Sequence, residues 1–250
     1  MPNDVYIKYL SVVDSTNSYL RYEREALLSE AGDAKVIALY AGKQTAGRGQ
    51  RGNVWHSNGD ENLLLSILVS PNAIPAKEQF LLSQMIALAV NSTMHAYGVD
   101  SVIKWPNDIY VGNRKLAGIL VELDYAGDMI DNSIIGVGIN VNQANFPAMD
   151  KIPTSMSLLT GKVFDVKAVL DSLLTSFLYY YDMLEKGNLL NIVEEYKEKL
   201  LGFGETLRYK DANSTFDATV KDVQGDGALC LERENGEISR YYFKEVELLL

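Results

Sequence analysis

One cysteine and two histidines in 250 residues leave little room for metal or redox chemistry. A lone Cys230 excludes a disulfide framework and a cysteine-based metal cluster, and His56 with His95 cannot furnish a histidine-rich metal site. Positive charge is scarce too. The formal net charge is −10, which argues against nucleic-acid binding through a basic surface. No apolar stretch approaches the ~20 residues that span a bilayer. The start, MPNDVYIKYL, lacks a charged segment followed by an apolar one, so no secretion signal is expected. These absences lead to the expectation of a cytoplasmic protein with no membrane partner. With 47% apolar residues the chain can bury a large core, as one sizeable domain or as one with a small appendage.

Against the acidic background stands a local exception. GRGQRGNVW, at Gly47–Trp55, sets Gly47, Gly49 and Gly52 around Arg48 and Arg51, and from Lys43 to Gly59 there are three basic residues and no acidic one. Glycine lets backbone approach a ligand closely, and arginine grips anionic oxygens through a planar fork of donors. The combination reads as a loop that folds over something small and phosphate-bearing.

The hydrophobic pattern places this loop. Val5–Val13 reads as a strand running into DSTNSYL, where Asp14, Ser15 or Thr16 caps a helix reaching about Glu30. Lys35–Ala41 is a second strand, and Asn62–Val69 is a β-rich run buried on both faces. Lys77–Tyr97 is a mostly apolar helix that Gly98 ends. SVIKW, DIYV, KLAGILVELDY and SIIGVGINVN are β-rich runs joined by tight turns at Gly112-Asn113 and near Gly127-Asp128, so the sheet is at least partly antiparallel. Asp165 caps a helix over Asp165–Glu185 that Gly187 stops, and another spans about Leu189–Leu201. From Phe203 short alternating strands suggest a small barrel, with a boundary near Gly202–Gly204 and domains of 1–202 and 203–250. Cys230, between Leu229 and Leu231, is expected to be buried in that barrel.

Four further stretches depart from what strand packing needs. They are DSTN at Asp14–Asn17, KWPNDIY at Lys104–Tyr110, KLAGILVE at Lys115–Glu122 and GVGINVN at Gly136–Asn142. Pro106 belongs at a strand end, and Gly118, Gly136 and Gly138 mark close approach of a ligand or of another backbone. Taken singly, each has an ordinary structural explanation. Together and in this order they resemble the biotin–protein ligases, over nearly the whole chain.

The resemblance implies a two-step reaction. Biotin's carboxylate attacks the α-phosphate of ATP, giving biotinyl-5′-adenylate and pyrophosphate. A lysine of a biotin carboxyl carrier domain, from acetyl-CoA carboxylase or a related carboxylase, then displaces AMP. It also implies an α+β fold, with a mixed, partly antiparallel sheet backed by helices as in class II aminoacyl-tRNA synthetases and a C-terminal SH3-like barrel. Mg²⁺ is the implied helper, with no metal ligand assigned, and the assembly is a monomer or homodimer. By the same resemblance Ser15, Thr16, Asn17, Gln44, Gly47, Arg48, Gly49, Gln50, Lys115 and Gly118 line the biotin site. Arg48, Arg51, Trp55, Lys104, Asn107 and Asn140 serve the nucleotide, and Arg48, Lys104 and Lys115 carry the catalytic charge. Asp108 is a metal or water ligand or a structural acceptor, the latter favoured, and Gln143–Gly161 is expected to order over the adenine. Gln50 stands where many relatives carry arginine, which predicts looser retention of the adenylate. DSTN begins at position 14, which leads to the expectation of a short form without a DNA-binding domain. The alternatives are a lipoate/octanoate–protein ligase of the same fold and a non-catalytic biotin-binding sensor.

Overall fold

The computed structural model describes residues 4–71, 74–147 and 151–249. Strand β1 (Val5–Val13) leads into helices α1 (Thr16–Tyr22) and α2 (Arg24–Ala31), then strands β2 (Val36–Gln44) and β3 (Leu63–Val69). Helix α3 (Phe80–Ala96) precedes strands β4 (Val102–Lys104), β5 (Asp108–Val111), β6 (Arg114–Ala126) and β7 (Met129–Ile139). Helices α4 (Met156–Thr160), α5 (Val166–Glu185) and α6 (Leu189–Lys199) follow. The chain then runs through β8 (Thr206–Asp211), β9 (Thr215–Val223), β10 (Leu229–Arg233), β11 (Ile238–Tyr241) and β12 (Val246–Leu248). Among the described residues no helix is long and apolar enough to cross a membrane.

The class is mixed α+β with two sheets. The large sheet is seven-stranded, ordered β1-β2-β3-β7-β6-β5-β4; β1 and β2 pair in parallel and the other pairs are antiparallel. The second sheet is antiparallel, ordered β11-β10-β9-β8-β12. Successive strand residues face opposite sides, and the chain uses both. Val36 and Ala38 of β2, with Leu65 and Ile67 of β3 and Ile135 and Val137 of β7, enter the main core beneath α3, α5 and α6. Ile37 and Leu39 of β2, Leu68 of β3 and Ile134 of β7 meet Leu20 of α1 and Leu27 of α2 in a smaller core on the opposite face. The fully buried strand read at Asn62–Val69 is β3, with every residue from Leu63 to Val69 buried.

Three expected elements differ in detail. The single helix to Glu30 is two, because Glu23 (φ −96°, ψ 12°) leaves helical geometry between α1 and α2. That break lets Arg21 and Arg24 both reach Asp124. Helix α3 starts at Phe80, since Pro75 and a 3-10 turn at Ala76–Glu78 occupy its expected first turn, and the Phe80 N–H bonds Gly225 O in the second sheet's β9–β10 loop. Gln143–Gly161 is partly ordered secondary structure. Ile152–Thr154 pairs with Lys115 through two backbone hydrogen bonds and α4 follows, capped by Ser155; residues 148–150 of this expectation lie outside the described residues. Elsewhere the punctuation holds. Asp165 caps α5, Gly98 and Gly187 end helices at φ +74° and +75°, and Cys230 is buried.

Candidate active site

The strand alternation that feeds the two cores also makes a trough. On the face of the large sheet that carries α1, β3 presents Ser66, β7 presents Gly136 and Gly138, and β6 presents Gly118 and Glu122. Gly118 and Gly138 are direct cross-strand partners, and Gly136 sits between Ser66 and Leu120. A Cβ on Gly138 would lie 2.5 Å from Trp55 Cε2, and one on Gly136 would lie 2.3 Å from Asn17 Oδ1. These glycines are glycines because other side chains occupy the space a Cβ would need.

One end of the trough is neutral and polar. Ser15 caps α1 by accepting from the Ser18 N–H at 3.5 Å, which sets Thr16 and Asn17 at the cavity, both buried. Gln44 Oε1, at the end of β2, accepts from the Thr16 backbone N–H at 2.8 Å and contacts Thr16 Oγ1 at 3.1 Å. Ser66 Oγ lies 2.7 Å from Thr16 Oγ1 and donates to Asn17 Oδ1 at 2.5 Å.

The other end is cationic. Lys115 Nζ is 2.7 Å from Asp108 Oδ1 and Lys151 Nζ is 3.2 Å from Asp108 Oδ2. Lys104 Nζ lies 4.9 Å from the centre of the Tyr110 ring. Burial pushes the Lys104 and Lys115 ammoniums below the ordinary lysine value; Lys151 adds to both effects, while Asp108 opposes them. The favoured reading of Asp108 as a structural acceptor matches this double engagement.

The loop Gly47–Trp55 closes over the trough as a small hairpin. Trp55 N–H donates to Gly47 O at 3.0 Å, Gly49 N–H donates to Asn53 O at 2.7 Å, and a 3-10 turn at Gln50–Gly52 makes the tip, with Gly52 at φ +84°. Its Trp55 indole lies on the Gly118–Gly138 platform with Lys115 Nζ 5.7 Å from the ring centre, and its Nε1 has no hydrogen-bond partner. With the indole there the cavity keeps about 100 Å³, below the ~300–1,000 Å³ of small-molecule sites.

Most of the residues singled out from sequence converge here. Ser15, Thr16, Asn17, Gln44, Arg48, Gly49, Gln50, Trp55, Lys104, Asn107, Lys115 and Gly118 all line one cavity. Gly47 stands behind the wall, pairing with Trp55. The side chain of Arg51 lies outside the described residues. Asn140 is not on the wall. It is buried behind Lys115 and Leu116, where its Nδ2 donates to Thr154 O at 2.9 Å and holds the Ile152–Thr154 segment against β6. Asn107 reaches the cavity with its amide already used, Nδ2 donating to Ile119 O at 3.1 Å and Oδ1 accepting from Gln50 Nε2 at 2.8 Å. KWPND is pinned from outside. Trp105 Nε1 donates to Gly227 O of the β9–β10 loop at 3.0 Å, and Tyr196 of α6 donates to Pro106 O at 2.9 Å.

Sequence reasoning named none of three wall residues that lie outside its motif stretches, Leu65, Lys151 and Phe243. Lys151 carried a weak signal, a cation in a segment already expected to close over the site. Phe243 carried none, because only the docking of the second sheet brings it near.

The chain matches known proteins along its length. A model of the biotin/lipoate A/B protein ligase family covers residues 9–140. The bifunctional ligase/repressor BirA of Bacillus subtilis is 31% identical over 252 residues, 99% of this chain and 76% of that protein. The biotin–[acetyl-CoA-carboxylase] ligase of Mycobacterium tuberculosis is 28% identical, over 90% of this chain and 84% of that one. Among solved structures, biotin protein ligase from Aquifex aeolicus in complex with biotin and ATP superposes at a TM-score of 0.78 and 26% identity, covering 97% of this chain and 98% of the other. A sheet face stripped to glycine between a hydroxyl–amide end and a lysine-rich end thus sits on a fold and a sequence of one lineage: this chain belongs to the biotin/lipoate A/B protein ligase family.

Proposed function

We propose that this chain is a biotin–protein ligase, joining biotin to ATP and passing the biotinyl group to a lysine of a biotin carboxyl carrier domain. The observation that carries the reading is the polarity of the trough. Its neutral end, Ser15, Thr16 and Gln44, offers donors and acceptors together, as a ureido ring requires. Its other end gathers Lys104, Lys115 and Lys151, as a carboxylate meeting a triphosphate requires. A dithiolane or a plain alkyl chain has no use for the polar end, which favours biotin over lipoate or octanoate.

In the first step a biotin carboxylate oxygen attacks the α-phosphorus, the bond from that phosphorus to the bridging oxygen breaks, and pyrophosphate leaves. In the second the carrier amine attacks the anhydride carbonyl, the carbon–oxygen bond breaks, AMP leaves and the amine's proton passes to solvent. This chain needs no nucleophile of its own. Its task is to hold two anions together, and fixed geometry lowers such a barrier by roughly 7–11 kcal/mol. Lys104 meets the phosphates, Lys115 lines the biotin site, Arg48 spans the carboxylate and the α-phosphate, and Thr16 and Gln44 orient the ureido ring. Gly118 and Gly138 let the thioether ring lie against backbone once Trp55 has swung onto the nucleotide side. A mixed anhydride hydrolyses in water, so closure of the Gly47–Trp55 hairpin protects it.

Among the described residues no cluster of three or more acidic, histidine or cysteine ligands exists, and Asp108 already serves two lysines. Mg²⁺ would arrive on the nucleotide's own phosphates. The same reading takes 1–202 as the catalytic domain and 203–250 as an SH3-like barrel that buttresses KWPND, supported by the Trp105–Gly227 bond. One unpaired cysteine suits a cytoplasmic enzyme.

The test is mass spectrometry of an apo carrier domain incubated with this chain, ATP and biotin. One biotinyl group on one lysine is expected. An unmodified carrier alongside a lipoylated one in the lipoate control would overturn the reading.

A further inference from the structure

The KLAGILVE motif ends in a carboxylate that the chemistry above does not use. Glu122 of β6 is not on the cavity wall; its side chain is 18% exposed and faces the same side of the sheet as Gly118. Its two oxygens take the fork of Arg48, Nη2 to Oε1 at 2.9 Å and Nη1 to Oε2 at 3.3 Å. Oε2 also accepts from Asn17 Nδ2 at 2.8 Å, and Arg21 Nη2 stands 3.6 Å from Oε1. The Asn17 amide is fixed at both ends, since Oδ1 accepts from Ser66 Oγ, which contacts Thr16 Oγ1. A continuous polar chain therefore joins the neutral end of the trough to the guanidinium on the hairpin.

We propose that Glu122 is a positioning residue for adenylation, holding the Arg48 guanidinium over the cavity and tying it through Asn17 and Ser66 to the end where the ureido ring sits. The inference rests on the reading of Arg48 as the group that meets the two anions. Arginine carries five N–H donors and Glu122 engages two, so three remain for carboxylate and phosphate oxygens. A bare carboxylate this close would repel both substrates; covered by a forked arginine it fixes the direction of a long side chain that is otherwise costly to order. The hairpin's arginine thus reaches the ligand oriented, and the orientation is set by the same amide that borders the ureido end. Gly136 belongs to the device, because only a residue without Cβ leaves room for Asn17 in this rotamer.

Glu122→Gln tests it selectively. Glutamine's oxygen in the place of Oε2 still accepts from Asn17 and from Arg48 Nη1, while its NH₂ faces Arg48 Nη2 and breaks the shorter arm of the fork. In biotin-dependent exchange of pyrophosphate into ATP, E122Q is expected to lower kcat/KM about tenfold, the scale of a lost charged hydrogen bond. Placed on Arg48→Ala it is expected to cost nothing more, R48A and R48A/E122Q agreeing within about twofold. A purely structural role predicts instead a loss that persists undiminished on R48A, and that result overturns the proposal, as does full activity in E122Q. Should E122Q fold poorly, Arg48→Lys keeps Glu122 and Asn17 intact and loses only the fork. A drop of about tenfold in R48K supports the proposal and full activity in R48K refutes it. Absence of exchange in the native chain would overturn the ligase reading, and this inference with it.

Discussion

Replacing Gly136 by alanine puts a methyl group where Asn17 already stands. The new Cβ would lie 2.3 Å from Asn17 Oδ1 and 3.0 Å from its Cγ, and β7 cannot retreat, because Gly136 pairs with Ser66 on one side and Leu120 on the other in mid-sheet. Asn17 must therefore rotate, giving up its bonds with Ser66 and with the Glu122 carboxylate. The neutral bond is worth about 1 kcal/mol and the charged one about 1.5–3, so the substitution costs about 2.5–4 kcal/mol. For a chain of this size each kcal/mol lowers Tm by about 2–4 °C, so a fall of roughly 5–16 °C is expected in thermal unfolding. Biotin affinity, measured by titration calorimetry, should fall with it, since Thr16 and Ser66 share the disturbed network. A G136A protein that melts within about 1 °C of the native one and binds biotin normally would refute the reasoning.

Gly138→Ala, two residues along the same strand face, should behave differently. Its Cβ meets the loop-borne Trp55 ring at 2.5 Å; the ring can move, so Tm should change by under about 2 °C while biotin affinity drops because the platform is filled. Asp108→Asn removes the group that holds the Lys115 and Lys104 values up, so the alkaline limb of adenylation should move to lower pH; Lys151→Met should move it to higher pH, read in a pH profile of pyrophosphate exchange. The matching stability sign is fixed. A lysine depressed in the fold binds fewer protons than in the unfolded chain, so stability rises with pH between the depressed value and ~10.4, and D108N widens that window. Tyr196→Phe strips the donor from Pro106 O in a buried setting, and should cost about 1–2 kcal/mol in denaturant unfolding with no change in biotin affinity.

Much of this was legible in the sequence because it rests on local rules. The unbroken apolar run in Asn62–Val69, the cap at Asp165 and the one among Asp14, Ser15 and Thr16, and the glycines of the motifs each report a backbone requirement within a few residues of themselves. The motifs also announced the trough, since Gly118, Gly136 and Gly138 waste strand stability unless something lies on them. What stayed hidden depends on distant partners. Asn140 reads as an amide offered to a ligand, yet its Nδ2 serves Thr154, fourteen residues on, a contact that only the return of Ile152–Thr154 to β6 creates. Arg48 reads as a free cation, and its pairing with Glu122 appears only when the hairpin folds over β6. The break at Glu23 was illegible too, because nothing in its neighbours forbids a helix; the pull of Asp124 on Arg21 and Arg24 from another strand accompanies it.

The central claim is that the trough brings a ureido-bearing acid and ATP together without help from a protein nucleophile. Exchange of labelled pyrophosphate into ATP by the native chain, with Mg²⁺ and with biotin, lipoate or octanoate in parallel, tests it most directly. The account predicts exchange with biotin and only background exchange with the other two acids. Exchange supported by lipoate or octanoate but not by biotin, or no exchange despite measurable biotin binding, would contradict it.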